Sequence, residues 1–383
     1  MDFEFTEEQN LLRESVRTML NRIATPEYVR RCDTEPYYPE ELYQGFLEMG
    51  LLRMPFPESV GGLGGGVIDF MIIAEELARK SYDFLGAYGT CVFNGLNILN
   101  NGTQAQRAYW LPRLLDGSIR MSISMTEPGA GSDAGAIRSS ARRDGDHWVI
   151  NGQKVFSTGA GAKNNVINLY VRTRPTGAHQ DSLSLFLVDN TTPGITLRKL
   201  DTLGRRALGT YEVFLDDVRV PADRLVGEEN KGWAYMLSGL QLERLMTASG
   251  YVGAADAAVD LALNYAKERK QFGQPIGTFQ AIAHMLADMR TDVEASRLLT
   301  WRAGWQLARG ENALMAISQA KLFGSEAYAR IANLGMQIMG GYGYMMEFDM
   351  QRHYRDARVT TITAGTSQMQ RNLIAGLLGL KTK

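Results

Sequence analysis

One carboxylate stands out by its surroundings. Glu243 lies in "SGLQLERLMTASGYVG", Ser238 to Gly253, where Leu240, Leu242, Leu245, Met246, Ala248 and Val252 are apolar and no proline intervenes. On a helix it shares a face with Met236, Leu240, Met246, Thr247 and Gly250. A charged carboxylate on such a face is costly, and burial raises its pKa. That suits a general base working near neutrality. The same residue also reads as an interface acid paired with Arg244 or another cation, and periodicity alone divides the two readings evenly.

Five further stretches carry groups that could hold a ligand. "SMTEPGAGSDAGA" (Ser124–Ala136) offers the Thr126 and Ser132 hydroxyls among glycine amides. Such a loop can approach an anionic or planar group, and it also reads as a plain turn-rich connection. It is neither a P-loop nor a GxGxxG dinucleotide turn. "INGQKVFSTGAGAKN" (Ile150–Asn164) sets Phe156 beside Ser157 and Thr158, and its Asn151-Gly152 pair signals a hairpin turn. "KERKQFGQPIGTFQ" (Lys267–Gln280) ends a helix in Arg269, Lys270 and Gln271. Basic residues suit that end of the helix dipole, and an arginine also suits a pyrophosphate. "MQIMGGYGY" and "YRDARVTTITAGTSQMQRN" supply Gln337, Gly340, Gly341, Thr366 and Gln368, each alone readable as a glycine-capped helix end.

Three zones must position these groups. From Phe5 to about Arg120 the pattern is helical: Thr6 is an N-cap, and Leu12, Val16, Met19 and Ile23 mark one helix face. "YPEELYQGFLEMGLL" and "DFMIIAEELARKSYDF" repeat the habit. Residues 121–226 hold short β-branched runs, "HWVING", "VINLYVRT", "LSLFLVD", "ITLRKL" and "YEVFLDDVRVP", separated by turn formers, which predicts an antiparallel β domain. Residues 227–383 are again helical, in long Ala-, Leu- and Met-rich segments that predict a bundle. The fold class is thus α+β: an N-terminal helical domain (1–120), a middle antiparallel β domain (121–226) and a C-terminal four-helix bundle (227–383).

Composition narrows the chemistry. A net charge of −1 gives no electrostatic footprint for nucleic acid or an anionic membrane. No run reaches the ~20 apolar residues of a membrane span. Cys32 and Cys91 form no CxxC pair, and the N-terminus is acidic rather than a signal, which together predict a cytoplasmic protein. His147, His179, His284 and His353 are scattered and make no metal motif.

Taken together and in order, "TEPGAGSD", "NGQK", "ERKQFG", "MGGYGY" and "YRDAR…GTSQ" resemble the acyl-CoA dehydrogenase family over nearly the whole chain. The resemblance implies FAD held between the β domain and the C-terminal helices, partly by a neighbouring subunit of a homotetramer built as a dimer of dimers. It implies Met125, Thr126, Phe156 and Thr158 at the flavin ring, and Ser132 near the pyrophosphate and the acyl-CoA. It sets Arg269, Gln271, Phe272, Gln280, Gln337, Gly340 and Gly341 on the partner's FAD, and Thr366 and Gln368 on the chain's own. The implied reaction is α,β-dehydrogenation of an acyl-CoA thioester, with electron-transferring flavoprotein as acceptor.

Many members of that family carry the base just before "GTS", where this chain has Ala364. No carboxylate follows Asp356. A smaller set, including isovaleryl-CoA and long-chain dehydrogenases, carries it in an "ERLxxA" setting, matched here by Glu243 with Arg244 beside it as a positioning residue. The backbone N–H of Ala364, with Gly365 next to it, is then expected at the thioester oxygen. Phe93, Asn94 and Leu96 are candidates for the pocket floor. Two features depart from or refine the likeness. "LGRRALGTYEVFL" (Leu203–Leu215) replaces a usual "LGMRGSxTxEL" and reads as a shifted surface loop or a border of the acyl path, the former favoured. "PEYVRRCDTEPYYPEEL" (Pro26–Leu42) is similar to crotonobetainyl-CoA reductase-like members, so reduction of an enoyl-CoA is the alternative direction. A non-catalytic flavin-binding relative or an oxidase is the other alternative.

Overall fold

The computed structural model describes residues 4–35, 38–174, 178 and 181–380. Pro36, Tyr37 and His179, within stretches read above, lie outside them. Six helices come first: α1 (Glu7–Ile23), α2 (Pro26–Thr34), α3 (Glu40–Glu48), α4 (Val67–Lys80), α5 (Tyr82–Asn101) and α6 (Gln104–Leu115). Thr6 caps α1 as expected, its hydroxyl accepting from the Gln9 N–H while the Gln9 side chain accepts from the Thr6 N–H. The run 69–84 is not one helix. Ser81 is extended and its hydroxyl caps Asp83 N–H, so α4 stops and α5 starts in a new direction.

Seven strands follow: β1 (Arg120–Ser124), β2 (Ser140–Asp144), β3 (His147–Thr158), β4 (Asn165–Arg172), β5 (Leu183–Asp189), β6 (Ile195–Leu200) and β7 (Thr210–Pro221). They form one sheet in the order β1-β4-β2-β3-β7-β6, with β5 on β4. The sheet is mixed, not antiparallel throughout: β4 runs parallel to β1 and to the end of β2. The β2–β3 hairpin lies between β1 and β4 in sequence, so the chain returns to the starting end before it pairs with β1.

Asn151-Gly152 is not a hairpin turn either. The β2–β3 turn is at Gly145-Asp146, between the paired Asp144 and His147. Asn151 sits inside β3 at a bulge, where pairing jumps from Ile150–Val218 to Gly152–Leu215. Its amide exchanges two 2.9 Å hydrogen bonds with Asp217, whose φ is 46°. Turns and bulges both favour residues that tolerate left-handed backbone, so the dipeptide signals either.

The C-terminal zone holds α7 (Gly232–Glu268), α8 (Gln280–Ala308), α9 (Leu314–Met339), α10 (Met350–Thr360) and α11 (Ser367–Leu377). One apolar core unites the two helical layers, including Phe46 and Tyr88 of the first and Tyr251, Ala255 and Tyr328 of the second. Arg79 of α4 and Arg290 of α8 each reach both Asp256 and Asp260 of α7 and fix it from two sides. Helix α7 runs against α5 on small residues. Met246 fills the space a Cβ on Gly89 would take, Leu85 fills that of Gly250, and Asn97 lies against Gly239. This antiparallel register brings the middle of α5 to the Glu243 turn of α7. Among the described residues no helix is long and apolar enough to cross a membrane.

Candidate active site

Glu243 stands on α7 between Gly239 and Met246, and the helix register sets Phe93 of α5 opposite it. Met236, Met246, Thr247 and Gly250 on its face are buried. Among the described residues its carboxylate makes no hydrogen bond and no ion pair, and neither oxygen is sealed from open space. Burial raises its pKa; the charges of Arg244, Arg205 and Lys321 pull it back without cancelling the rise. The pairing with Arg244 is absent because that guanidinium is used elsewhere. Arg244 Nε donates to the carbonyl of Ala364 at 3.2 Å.

That bond ties the helix of Glu243 to the loop before α11. Ala364 and Gly365 both have left-handed backbone, φ 54° and 84°. Gln370 Nε2 holds the two carbonyls at 3.3 and 3.2 Å, and the Thr366 hydroxyl caps α11 by accepting from Met369 N–H. The Ala364 N–H has no acceptor among the described residues. An unspent amide can polarise a carbonyl, and an unspent carboxylate on the helix tied to its loop can remove a proton.

Lys321, fully buried on α9, donates to the Thr360 carbonyl at 3.0 Å and fixes the end of α10 just before this loop. Burial brings its pKa down to about 8. The sequence reading passed over Lys321, although the rule that exposed Glu243, a charge on an apolar helix face, would have found it among Ile317, Ala320 and Gly324.

The second group of residues gathers where β1 and β3 end. Thr126 accepts from Val155 N–H at 2.9 Å through its carbonyl, and Ser124 and Ser157 share a 2.5 Å hydroxyl contact. Val155 and Phe156 form a bulge, with pairing resuming at Ser157–Tyr211. Phe156 is left-handed, φ 62°, and its ring is 65% exposed. A large aromatic presented outward on strained backbone is a common mark of a binding surface. Met125 and Thr158 flank it, half-buried. Beneath them Lys154, 0% exposed, donates to Glu127 at 2.8 Å and to the Met125 carbonyl at 3.2 Å. Glu127 also accepts from the N–H groups of Arg138 and Ser139. This buried pair, missed by the sequence reading, holds the loop that carries exposed Ser132. A Cβ on Gly129 or Gly131 would meet nothing within 4 Å, so the loop opens onto free space. A flat exposed ring, hydroxyls and an open amide-rich loop fit a planar group with an anionic tail, as in FAD.

The third group lies at the far end of the bundle. Arg269 stacks on Tyr342 at 5.5 Å, and Phe272, at φ 51°, is 93% exposed. Gln271, Gln280, Gln337, Gly340 and Gly341 are exposed around them. Gly340 has φ 56° and ψ −135°, which a side chain would strain. Among the described residues no hydrogen bond joins this end to the β1–β3 loops. One chain therefore brings Glu243, Arg244, Ala364 and Gly365 together and gathers Met125, Thr126, Phe156 and Thr158 at a second place, but leaves this cluster apart.

Three family descriptions account for the chain: the acyl-CoA dehydrogenase N-terminal domain matches residues 6–118, the middle domain 122–218 and the C-terminal domain 230–378. The chain belongs to the acyl-CoA dehydrogenase family. It is 38% identical over 380 residues to a probable acyl-CoA dehydrogenase, YngJ, of Bacillus subtilis, covering 98% of this chain and 99% of that one. It is 35% identical over 378 residues to the CarC subunit of the caffeyl-CoA reductase–Etf complex of Acetobacterium woodii, with the same coverage. The structure of butyryl-CoA dehydrogenase from Megasphaera elsdenii superposes with a TM-score of 0.93 at 32% identity, covering 99% of this chain and 100% of that one. The acyl-CoA dehydrogenases are FAD flavoproteins, and this chain is an FAD-dependent enzyme of that family.

Proposed function

We propose that the enzyme interconverts an acyl-CoA and its trans-2-enoyl-CoA, with Glu243 as the base at the α-carbon. The observation that carries this reading is the unpaired Glu243 carboxylate on the helix that Arg244 ties to the Ala364 loop, where the Ala364 N–H has no acceptor among the described residues. The thioester carbonyl lies against Ala364 N–H, which stabilises the charge that develops on oxygen as the α-proton leaves. Glu243 takes that proton, and its raised pKa makes it a stronger base than an exposed carboxylate. Met125, Thr126, Ser132, Phe156, Thr158, Thr366 and Gln368 would hold FAD in this chain, and a flavin bound there would supply the acceptor for the β-hydrogen as hydride.

The Arg269–Phe272 and Gln337–Gly341 end completes the FAD site of a second copy within a homotetramer. An aromatic as exposed as Phe272 suits an interface better than water. Electron-transferring flavoprotein is the redox partner, in keeping with the Etf complex of the CarC relative. That relative is a reductase, which favours a second reading in the opposite direction, with protonated Glu243 delivering the α-proton.

The test is anaerobic titration of FAD-loaded wild type and E243Q with acyl-CoAs of varied length and branching. Flavin bleaching in wild type and its loss in E243Q, with FAD content unchanged, supports the assignment. Equal bleaching in both would remove Glu243 from the chemistry. Reduction of enoyl-CoAs alone, by pre-reduced enzyme, would favour the reductase direction.

A further inference from the structure

Arg205 and Arg206 are neighbours in sequence with opposite fates. Arg206 reaches exposed Asp201 at 3.4 Å, an ordinary surface pair. Arg205 turns inward. Its backbone is left-handed, φ 55°, and its N–H donates to buried Asp356 at 2.6 Å. Ala207 and Leu208 after it are buried, with N–H groups on Asp83 Oδ2 at 2.7 and 3.4 Å. The segment is therefore not the surface loop that its sequence favours.

The guanidinium of Arg205 is underserved. Its side chain is 18% exposed, and it lies 5.1 Å over the ring of Tyr82. Asp83 Oδ1 forms an ion pair with Nε at 3.4 Å but makes no hydrogen bond with it, and Nε is sealed from solvent. Among the described residues Nη1 and Nη2 make no hydrogen bond, and both keep contact with open space. Asp83 and Asp356 have each spent an oxygen on backbone N–H groups. An arginine this far inside normally meets a partner, because a buried donor left unbonded costs free energy.

Nη2 lies 2.9 Å from the position a Cβ on Gly86 would occupy, so only glycine leaves it room there. Gly86, Gly89 and Phe93 share one face of α5, and Phe93 is the residue opposite Glu243. Along the helix axis the two levels are about 10 Å apart. Arg205 is also one of the three cations whose charge reaches Glu243.

We infer, resting on the dehydrogenase reading above, that Arg205 determines specificity by receiving a carboxylate at the far end of a short acyl chain. The substrate class is the CoA monothioester of a short dicarboxylic acid. Two parallel N–H groups match the two oxygens of a carboxylate. The reacting end lies at Glu243 and Ala364, and Arg205 takes no part in the proton step.

The experiment compares kcat/KM for succinyl-, glutaryl- and adipoyl-CoA with butyryl-, pentanoyl- and hexanoyl-CoA, in FAD-loaded wild type, R205L and R205K. Wild type should favour the acid-ended thioester at the best length by at least about tenfold. R205L should reduce that preference roughly tenfold to hundredfold, mainly through KM, and R205K should restore part of it. Dissociation constants from flavin spectral shifts give a second readout that does not depend on turnover. A wild-type preference for neutral chains would overturn the inference. So would an R205L variant that loses both classes equally. If no thioester of either class reduced the flavin, the dehydrogenase reading itself would fail, and the inference with it.

Discussion

Glu127 and Glu243 are both carboxylates withdrawn from water near a lysine, and the protein treats them oppositely. Glu127 is saturated: Lys154 and the N–H groups of Arg138 and Ser139 donate to it. Burial alone would raise its pKa, but the Lys154 charge and these hydrogen bonds outweigh burial, and the net shift is downward. Around Glu243 stand Arg244, Arg205 and Lys321, yet Arg244 and Lys321 spend hydrogen bonds on backbone carbonyls, and Arg205 does not reach it. Burial then prevails and the net shift is upward. A satisfied acid is scaffolding; an acid surrounded by cations that do not touch it keeps its capacity to bind a proton.

Breaking each acid should fail in a different currency. E243Q should lower kcat/KM by about a thousandfold or more with FAD still bound, which steady-state assays would show. K154M should leave Glu127 buried without its cation and destabilise the fold by about 3–5 kcal/mol, seen as a fall in Tm and loss of FAD. If E243Q instead lost stability and K154M lost only activity, the contrast would be reversed. R244M tests the link between base and amide. It should lower kcat roughly tenfold to hundredfold while KM changes less, because it frees the Ala364 loop without removing the base.

The pH profile sharpens the same contrast. Only the ionised form of Glu243 can accept a proton, and its pKa lies above the ordinary carboxylate range. The kcat/KM of wild type should therefore fall as pH is lowered through that raised value, and the residual activity of E243Q should lack this limb. The smallest effect concerns stability. A carboxyl whose folded pKa is raised favours the folded state most at acid pH, and its contribution is lost as pH rises through the shifted value. At neutral pH E243Q should have a Tm slightly above that of wild type, with the gap closing toward pH 4. A gap that widened at acid pH would contradict the assigned direction.

Glu243 was legible in the sequence because its unusual setting is local: the apolar neighbours lie within two turns of one helix. The α–β–α order was legible for the same reason, from period and composition. The Arg205–Asp83 and Lys321–Thr360 contacts were not legible, since each is decided by how α5, α9, α10 and the segment before β7 pack. Lys154 and Glu127 are likewise 27 positions apart and look like two surface charges until β3 is laid beside the loop. The Asn151-Gly152 error has another source. The dipeptide reports a backbone tolerance, and the sheet, not the dipeptide, decides between a turn and a bulge.

The carbonyls of Ala364 and Gly365 are held by Arg244 from α7 and by Gln370 from α11. The two peptide units that follow Ala364 are thus gripped by two levers, 120 positions away on one side and six on the other. Position 364 itself needs only a residue that accepts left-handed backbone, while Glu243, the base proposed above, sits on a separate helix. The two halves of the reaction can therefore drift independently in evolution: a lineage can relocate the acid without redesigning the loop, provided both levers keep their grip.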